Sequence, residues 1–264
     1  MSKLSISKAW EASRDVIGRN GSLLATVALA LLVLPGVVSD MAKPATDGGA
    51  FPEPGPWLIV AAIAFIIGLI GQLAIVTQAL GSRRTVAEAI GHGMRRAPSY
   101  VAATFIWTAP FALLMYAMAR GAGTPPSGGV VLGLLPLLIV FLYLCVRMIL
   151  TPAVATAESG GPLHIIKRSW ALTSGNWWRL FGFVVVWAIA AMVVLLAVQA
   201  IGGLLSGMIF GDSEPMSVGG LVVSVLTRLA GAALTVVLVV MQARLYLQVA
   251  TAAEPEVTVP SSGT

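Results

Sequence analysis

Six long apolar runs, separated by short polar segments, dominate the chain: 22–38, 57–80, 99–119, 130–150, 180–205 and 221–249. A helix covers the ~30 Å hydrocarbon layer of a bilayer with about 20 residues, and each run approaches or exceeds that length. In lipid the backbone must satisfy its own hydrogen bonds, which leaves helices or closed barrels as spanning forms. Barrel strands alternate apolar and polar residues over about 10 positions, and these runs do not alternate. The pattern predicts an all-α polytopic membrane protein with six transmembrane helices in one domain over 1–250. The polar 251–264 tail, with its Pro and Ser residues, is expected to be disordered.

Three polar segments carry helical periodicity of their own. In Ser5–Gly18, Ile6, Trp10, Ser13 and Ile17 share a face. In Thr85–Ala97, Val86, Ala89, Ile90, Gly93 and Ala97 form a weaker stripe. In Pro162–Thr173 the stripe is Leu163, Ile166, Trp170 and Thr173. Two or three short amphipathic helices in the membrane interface are therefore expected. They recur about every 80 residues, with Trp10, Ile90 and Trp170 in register. Such a period suits a unit of interfacial helix plus transmembrane hairpin used three times. Ordinary alternation of basic loops and helical pairs would produce it too.

Composition agrees with the span pattern. Hydrophobic residues make up 58% and charged residues 10% of 264 positions, against about 25% charged in a soluble domain. The net charge of +5 is unevenly placed. The N-terminal arm and the 81–98 and 151–179 loops hold Lys3, Lys8, Arg14, Arg19, Arg83, Arg84, Arg95, Arg96, Lys167, Arg168 and Arg179. The alternate loops hold only Lys43 and Arg120. The positive-inside bias puts both termini in the cytoplasm, as an even span count also requires. The first run follows an arm containing Glu11 and Asp15, unlike a short basic signal region, and is expected to remain as a span. No basic face on a soluble fold offers itself to nucleic acid.

Candidate chemistry is sparse. His92 and His164 belong to no metal-binding pattern, and Cys145 stands alone, so neither a metal nor another cofactor is expected. A membrane enzyme would need Glu88, Glu158 and a histidine to converge. The basic, aromatic interfacial residues Arg95, Arg96, Lys167, Arg168, Arg179 and Trp170 are candidates for contact with anionic lipid headgroups. Trp177 and Trp178 suit an interface anchor. Within or beside the spans lie Gln72, Arg147, Gln199, Arg228 and Arg244. Arg147 and Arg244 sit near span ends, where snorkelling is expected. Arg228 is deeper, and no acid within the apolar runs is placed to neutralise it, so it is expected to reach water, headgroups or helix carbonyls. A transporter or channel for an apolar or amphiphilic solute would require a midplane cavity lined by Gln72, Gln199 or Arg228. A solid apolar midplane would dismiss it.

The stretch beginning RMILTPAVATAESGGPLHII and continuing KRSWALTSGNWWRL (147–180) resembles the membrane domain attached to some bacterial glycerophosphoryl diester phosphodiesterases and related stand-alone membrane proteins. Arg147, Pro152 and Glu158 carry the likeness, and TVAEAIGHGMRRAPSY (85–100) is similar to the earlier loop of that domain. In the fused members hydrolysis belongs to a separate barrel with a metal site, which this chain lacks. The resemblance implies a non-catalytic accessory domain of the bacterial inner membrane. Its expected partners are membrane lipids and a lipid-metabolising enzyme to which it presents substrate.

Overall fold

The computed structural model describes residues 4–44, 55–81, 85–121, 128–211 and 217–253, with the side chains of 117–134 and 252–253 outside that description. The first span is built from α1 (Ile6–Ala28), a π-helical segment Leu29–Val33 and α2 (Leu34–Ala42), which run on without a break. It is followed by α3 (Trp57–Ala79), α4 (Val86–Gly121), α5 (Gly128–Arg147), short α6 (Thr151–Ala157) and α7 (Pro162–Thr173), α8 (Trp177–Phe210) and α9 (Val218–Ala253). Six stretches are long and apolar enough to cross a membrane: Ile6–Ala42, Trp57–Ala79, Val86–Tyr116, Leu135–Ala157, Trp177–Phe210 and Val218–Thr251. The protein is an all-α, multi-pass membrane protein, as the run pattern predicts. Among the described residues no strand occurs. The expected 251–264 tail lies, past Ala253, outside the described residues.

The amphipathic segments depart from expectation in two ways. First, Ser5–Gly18 and Thr85–Ala97 are not separate interfacial helices; they are the opening turns of the first and third spans. No proline stands at the first junction, and Pro98 at the second is carried inside the continuous α4; Ser5 and Thr85 supply the starts. The Ser5 hydroxyl accepts from Lys8 N. Thr85 and Glu88 exchange a capping box, Glu88 Oε2 accepting from Thr85 N at 2.8 Å and Thr85 Oγ1 from Glu88 N at 3.3 Å. Only the third segment, α7, is a helix of its own, opened by Pro162 and closed before Gly175, whose φ of +80° suits glycine.

Second, in the first and third segments the buried face is turned from the predicted stripe, keeping Ser13 and Thr173 but not the tryptophans, whereas in Thr85–Ala97 the predicted Ala89, Gly93 and Ala97 are buried. Trp10 and Trp170 are 47% and 39% exposed, whereas Ala9, Ser13, Ala89, Ser169 and Thr173 are each 0% exposed and Gly93 is buried. Three small-x-x-x-small pairs, 9/13, 89/93 and 169/173, thus turn inward at the same 80-residue register. Lipid tails are as apolar as leucine, so large apolar side chains gain little by facing protein, while small ones let backbones approach closely. A Cβ added at Gly93 would stand 2.9 Å from the Ile70 carbonyl oxygen, and one at Gly71 2.7 Å from Leu31 Cβ.

The core lies towards the end of the bundle that carries the basic loops, hereafter the basic end. Leu73–Val76, Leu150, Ala153, Val154, Val239, Val240 and Leu245 are sealed there. α3 packs on α4, α8 on α9, and α9 on both α1 and α3. Towards the opposite, far end the spans separate and a cavity opens.

Candidate functional site

Four elements wall that cavity: the first span (Leu32, Gly36, Ser39, Asp40), α3 (from Ala61 to Gln72), α8 (Leu195, Gln199) and α9 (from Thr227 to Thr235). Its volume is about 650 Å³, in the range of small-molecule sites. Because neighbouring spans run antiparallel, Asp40, Ala61, Gln199 and Arg228 mark the far-end mouth. Leu32, Gln72, Leu195 and Thr235 mark the floor. From Ala61 to Gln72 the α3 wall covers about 16 Å at 1.5 Å per residue. That is about half of the ~30 Å hydrocarbon thickness.

The first-span wall owes its shape to Pro35. Proline has no N–H, and its ring clashes with the carbonyl four residues back. The preceding backbone widens into the π-segment, where Leu34 N bonds Leu29 O. Such bulges are found often at functional sites. Here the extra residue sets the phase of α2, so that Gly36, Ser39 and Asp40 come onto the cavity. Gly36 is needed for clearance, since a Cβ there would lie 2.9 Å from Arg228 Cδ.

Arg228 is not left to water or headgroups, as the sequence alone suggests. Its Nε donates to Asp40 Oδ2 at 2.6 Å and its Nη2 to Asp40 Oδ1, a fork that closes on both carboxylate oxygens. Ser224 Oγ donates to the same carboxylate at 2.9 Å. Asp40 reads in the sequence as the first residue of a loop, but the helix continues to Ala42 and carries it inward. The pair crosslinks the first and last spans at the mouth.

Around this pair the lining holds hydrogen-bonding groups without partners among the described residues. Thr227 Oγ1 is buried and unpartnered. Gln72 spends its oxygen on the Tyr100 hydroxyl at 3.0 Å, which leaves its amide NH2. Gln199 and Ser39 have no side-chain hydrogen bond to another described residue. The remaining walls are apolar: Leu32, Phe65, Leu69, Leu195 and Ala232. Gln72, Gln199 and Arg228, singled out from the sequence separately, are brought together by the fold in one cavity.

The basic end holds a second polar group. Glu158 accepts from Arg168 Nε at 2.8 Å, from Tyr246 OH at 3.0 Å, and lies 3.0 Å from His164 Nε2. Burial pushes its carboxyl up, but these partners outweigh burial and hold it below the usual carboxylate range. A base so satisfied is weak. Glu88, which the enzyme reading would add, is used in capping. His92 turns its Nε2 to the Thr156 carbonyl at 3.1 Å, beside half-buried Arg96 in a smaller recess. Among the described residues no group of three His, Cys, Asp or Glu side chains is placed to hold a metal.

Half of the predicted headgroup residues have protein partners. Arg168 pairs with Glu158, and Arg179 Nη1 donates to the Leu4 carbonyl at 2.7 Å. Arg147 does not snorkel freely. Its Nε bonds Tyr143 OH at 3.0 Å and its guanidinium stacks over Trp170 at 4.9 Å. Trp177 stacks on Phe181, and Trp178 stays exposed. Arg244 lies within electrostatic range of Asp15 and Arg19, with its Nε buried and unpartnered. Arg95 and Lys167 remain exposed, and with Arg96 they have no described partner.

A six-span helical bundle with an ion-paired polar cavity at one end defines a class, a multi-pass membrane protein with an intramembrane pocket. The chain belongs to the family described as "Domain of unknown function (DUF7847)", whose family model matches residues 4–249. No curated protein and no solved structure matches the chain.

Proposed function

We propose that this protein is a non-catalytic binder of amphiphilic molecules, which holds the polar end of a lipid-like solute in the cavity between spans one, two, five and six. The carrying observation is the cavity itself: polar groups without partners on one side, apolar walls on the other. An unpartnered hydroxyl such as Thr227 is costly in a dry site and favours a polar occupant. With the basic loops in the cytoplasm, the mouth faces the outer leaflet of the bacterial inner membrane and both termini are cytoplasmic. The likeness to glycerophosphodiester phosphodiesterase membrane domains fits this role, because an accessory domain that presents lipid-derived substrate to a partner enzyme needs such a pocket. Arg95, Arg96 and Lys167 remain for anionic headgroups at the opposite face.

The cavity equally favours the transport reading, in which the same pocket is one access state of a carrier. The sealed Leu73–Val76 layer beneath the floor makes it a pocket reached from one side. Native mass spectrometry of protein released from bilayer discs separates occupancy from surface adhesion. Filling the cavity with Ala64→Phe should strip a retained amphiphile, while the lipid-facing Leu196→Phe keeps it. Identical retention by wild type and both variants would remove the binding role.

A further inference from the structure

Building on the binding role proposed above, we infer that the cavity selects a neutral, hydroxyl-rich headgroup, of the glycerol or sugar kind, over a phosphate or other anion. Among the described residues the lining carries one acid and one base, Asp40 and Arg228, and they neutralise each other through a two-pronged contact. Lys43, exposed at the rim, is a further charge acting on Asp40 and lies outside the lining. An anion entering the cavity would have to draw Arg228 away and leave Asp40 unpaired in a partly buried position, or else approach that carboxylate directly. Both are unfavourable where water is scarce.

What the lining leaves over is of a different chemical kind. Gln72 NH2, the Gln199 amide, the Ser39 and Thr227 hydroxyls and Arg228 Nη1 are the groups with bonding capacity to spare. Hydroxyls donate and accept, and a primary amide does both through separate atoms. Such a set matches a ligand whose own groups both donate and accept, which is the character of a polyol. Phosphate oxygens only accept, and among the described lining residues the cationic donors left over are the remaining N–H groups of a guanidinium whose charge Asp40 already neutralises. The apolar walls around Phe65, Leu69 and Leu195 then take one alkyl chain, and the volume of about 650 Å³ suits a compact headgroup with part of a chain.

The test uses photoreactive decyl glucoside and decyl phosphate, each with a diazirine on the alkyl chain, and the full-length protein in bilayer discs. Peptide mapping reads labelling in 32–40, 61–72, 195–199 and 227–235. The expected result is cavity labelling by the glucoside at least tenfold above the phosphate at equal concentration. Competition by unlabelled monoacylglycerol should erase it. In Gln199→Leu the glucoside signal should fall roughly three- to tenfold, the loss of one hydrogen bond. Asp40→Asn frees Arg228 and should raise labelling by the phosphate probe. Equal or stronger cavity labelling of wild type by decyl phosphate would overturn the headgroup preference and leave the binding role standing. No cavity labelling by either probe would overturn both. The wild-type comparison decides the matter even if a variant fails to fold.

Discussion

The costs of removing each partner of the ion pair at the cavity mouth should add up to more than the cost of removing both together. Asp40 and Arg228 come from the first and last spans, so their contact ties the two ends of the chain. Two unit charges about 4 Å apart attract by about 4 kcal/mol at an effective dielectric of about 20. The Arg228 and Asp40 side chains are 39% and 29% exposed, so screening and dehydration reduce that figure, and a net coupling of about 2 kcal/mol is expected. Arg228→Met strands the carboxylate and Asp40→Leu strands the guanidinium. Each should lower stability by about 2–3 kcal/mol, while the double variant should lose about 2 kcal/mol less than the sum of the two. Unfolding in mixed micelles, followed by helical circular dichroism against the mole fraction of denaturing detergent, measures all four corners of the cycle. Strict additivity of the two single variants would show that the pair does not hold the spans together, and the account of the mouth would fail.

Other consequences can be checked by stability and fluorescence measurements. Gly93→Ala and Gly71→Ala should each destabilise by about 1–3 kcal/mol, because their new methyl groups meet Ile70 O at 2.9 Å and Leu31 Cβ at 2.7 Å. Gly182→Ala, with nothing within 4 Å, should be neutral or slightly stabilising, and the reverse order would discredit the close-approach assignment. Glu158, whose folded carboxyl titrates below its unfolded value, adds stability that is present above the ordinary carboxylate range and lost as pH falls through the folded value. Thermal midpoints measured from about pH 7 to about pH 3 should therefore fall more steeply for wild type than for Glu158→Gln; parallel curves would contradict the pairing. Arg147→Lys should cost about 1 kcal/mol and alter indole emission, since lysine cannot both bond Tyr143 and lie flat on Trp170. Unchanged emission would argue against the stack.

Span number and helical class were legible because each apolar run is long enough to decide its own structure. Facing was not. A hydrophobic stripe marks burial only where the alternative is water, and in lipid Trp10 and Trp170 turn outward while Ala9, Ser13, Ser169 and Thr173 turn in. Small residues spaced by four, present in the sequence at 9/13, 89/93 and 169/173, were the signal for the inner face. The cavity was half legible. Gln72, Gln199 and Arg228 stand out as polar residues in apolar runs, yet Asp40 hides at a run's edge, where a helix and a loop begin alike. Thr227 carries no mark at all, since hydroxyls are common in spans and only packing decides which one lacks a partner.

The widened turn ahead of Pro35 gives the first span a phase that its length alone would not supply. A π-bulge accommodates one residue beyond a regular α-helical path, and one residue corresponds to a rotation of about 100° about the axis. Straightened into uniform α-helix at constant length, the segment would swing the Asp40 carboxylate away from its guanidinium and onto lipid. Deleting a single residue from 29–33 would absorb the bulge instead and keep the carboxylate where it is. Along this stretch a shortened chain should be tolerated better than the replacement of one proline.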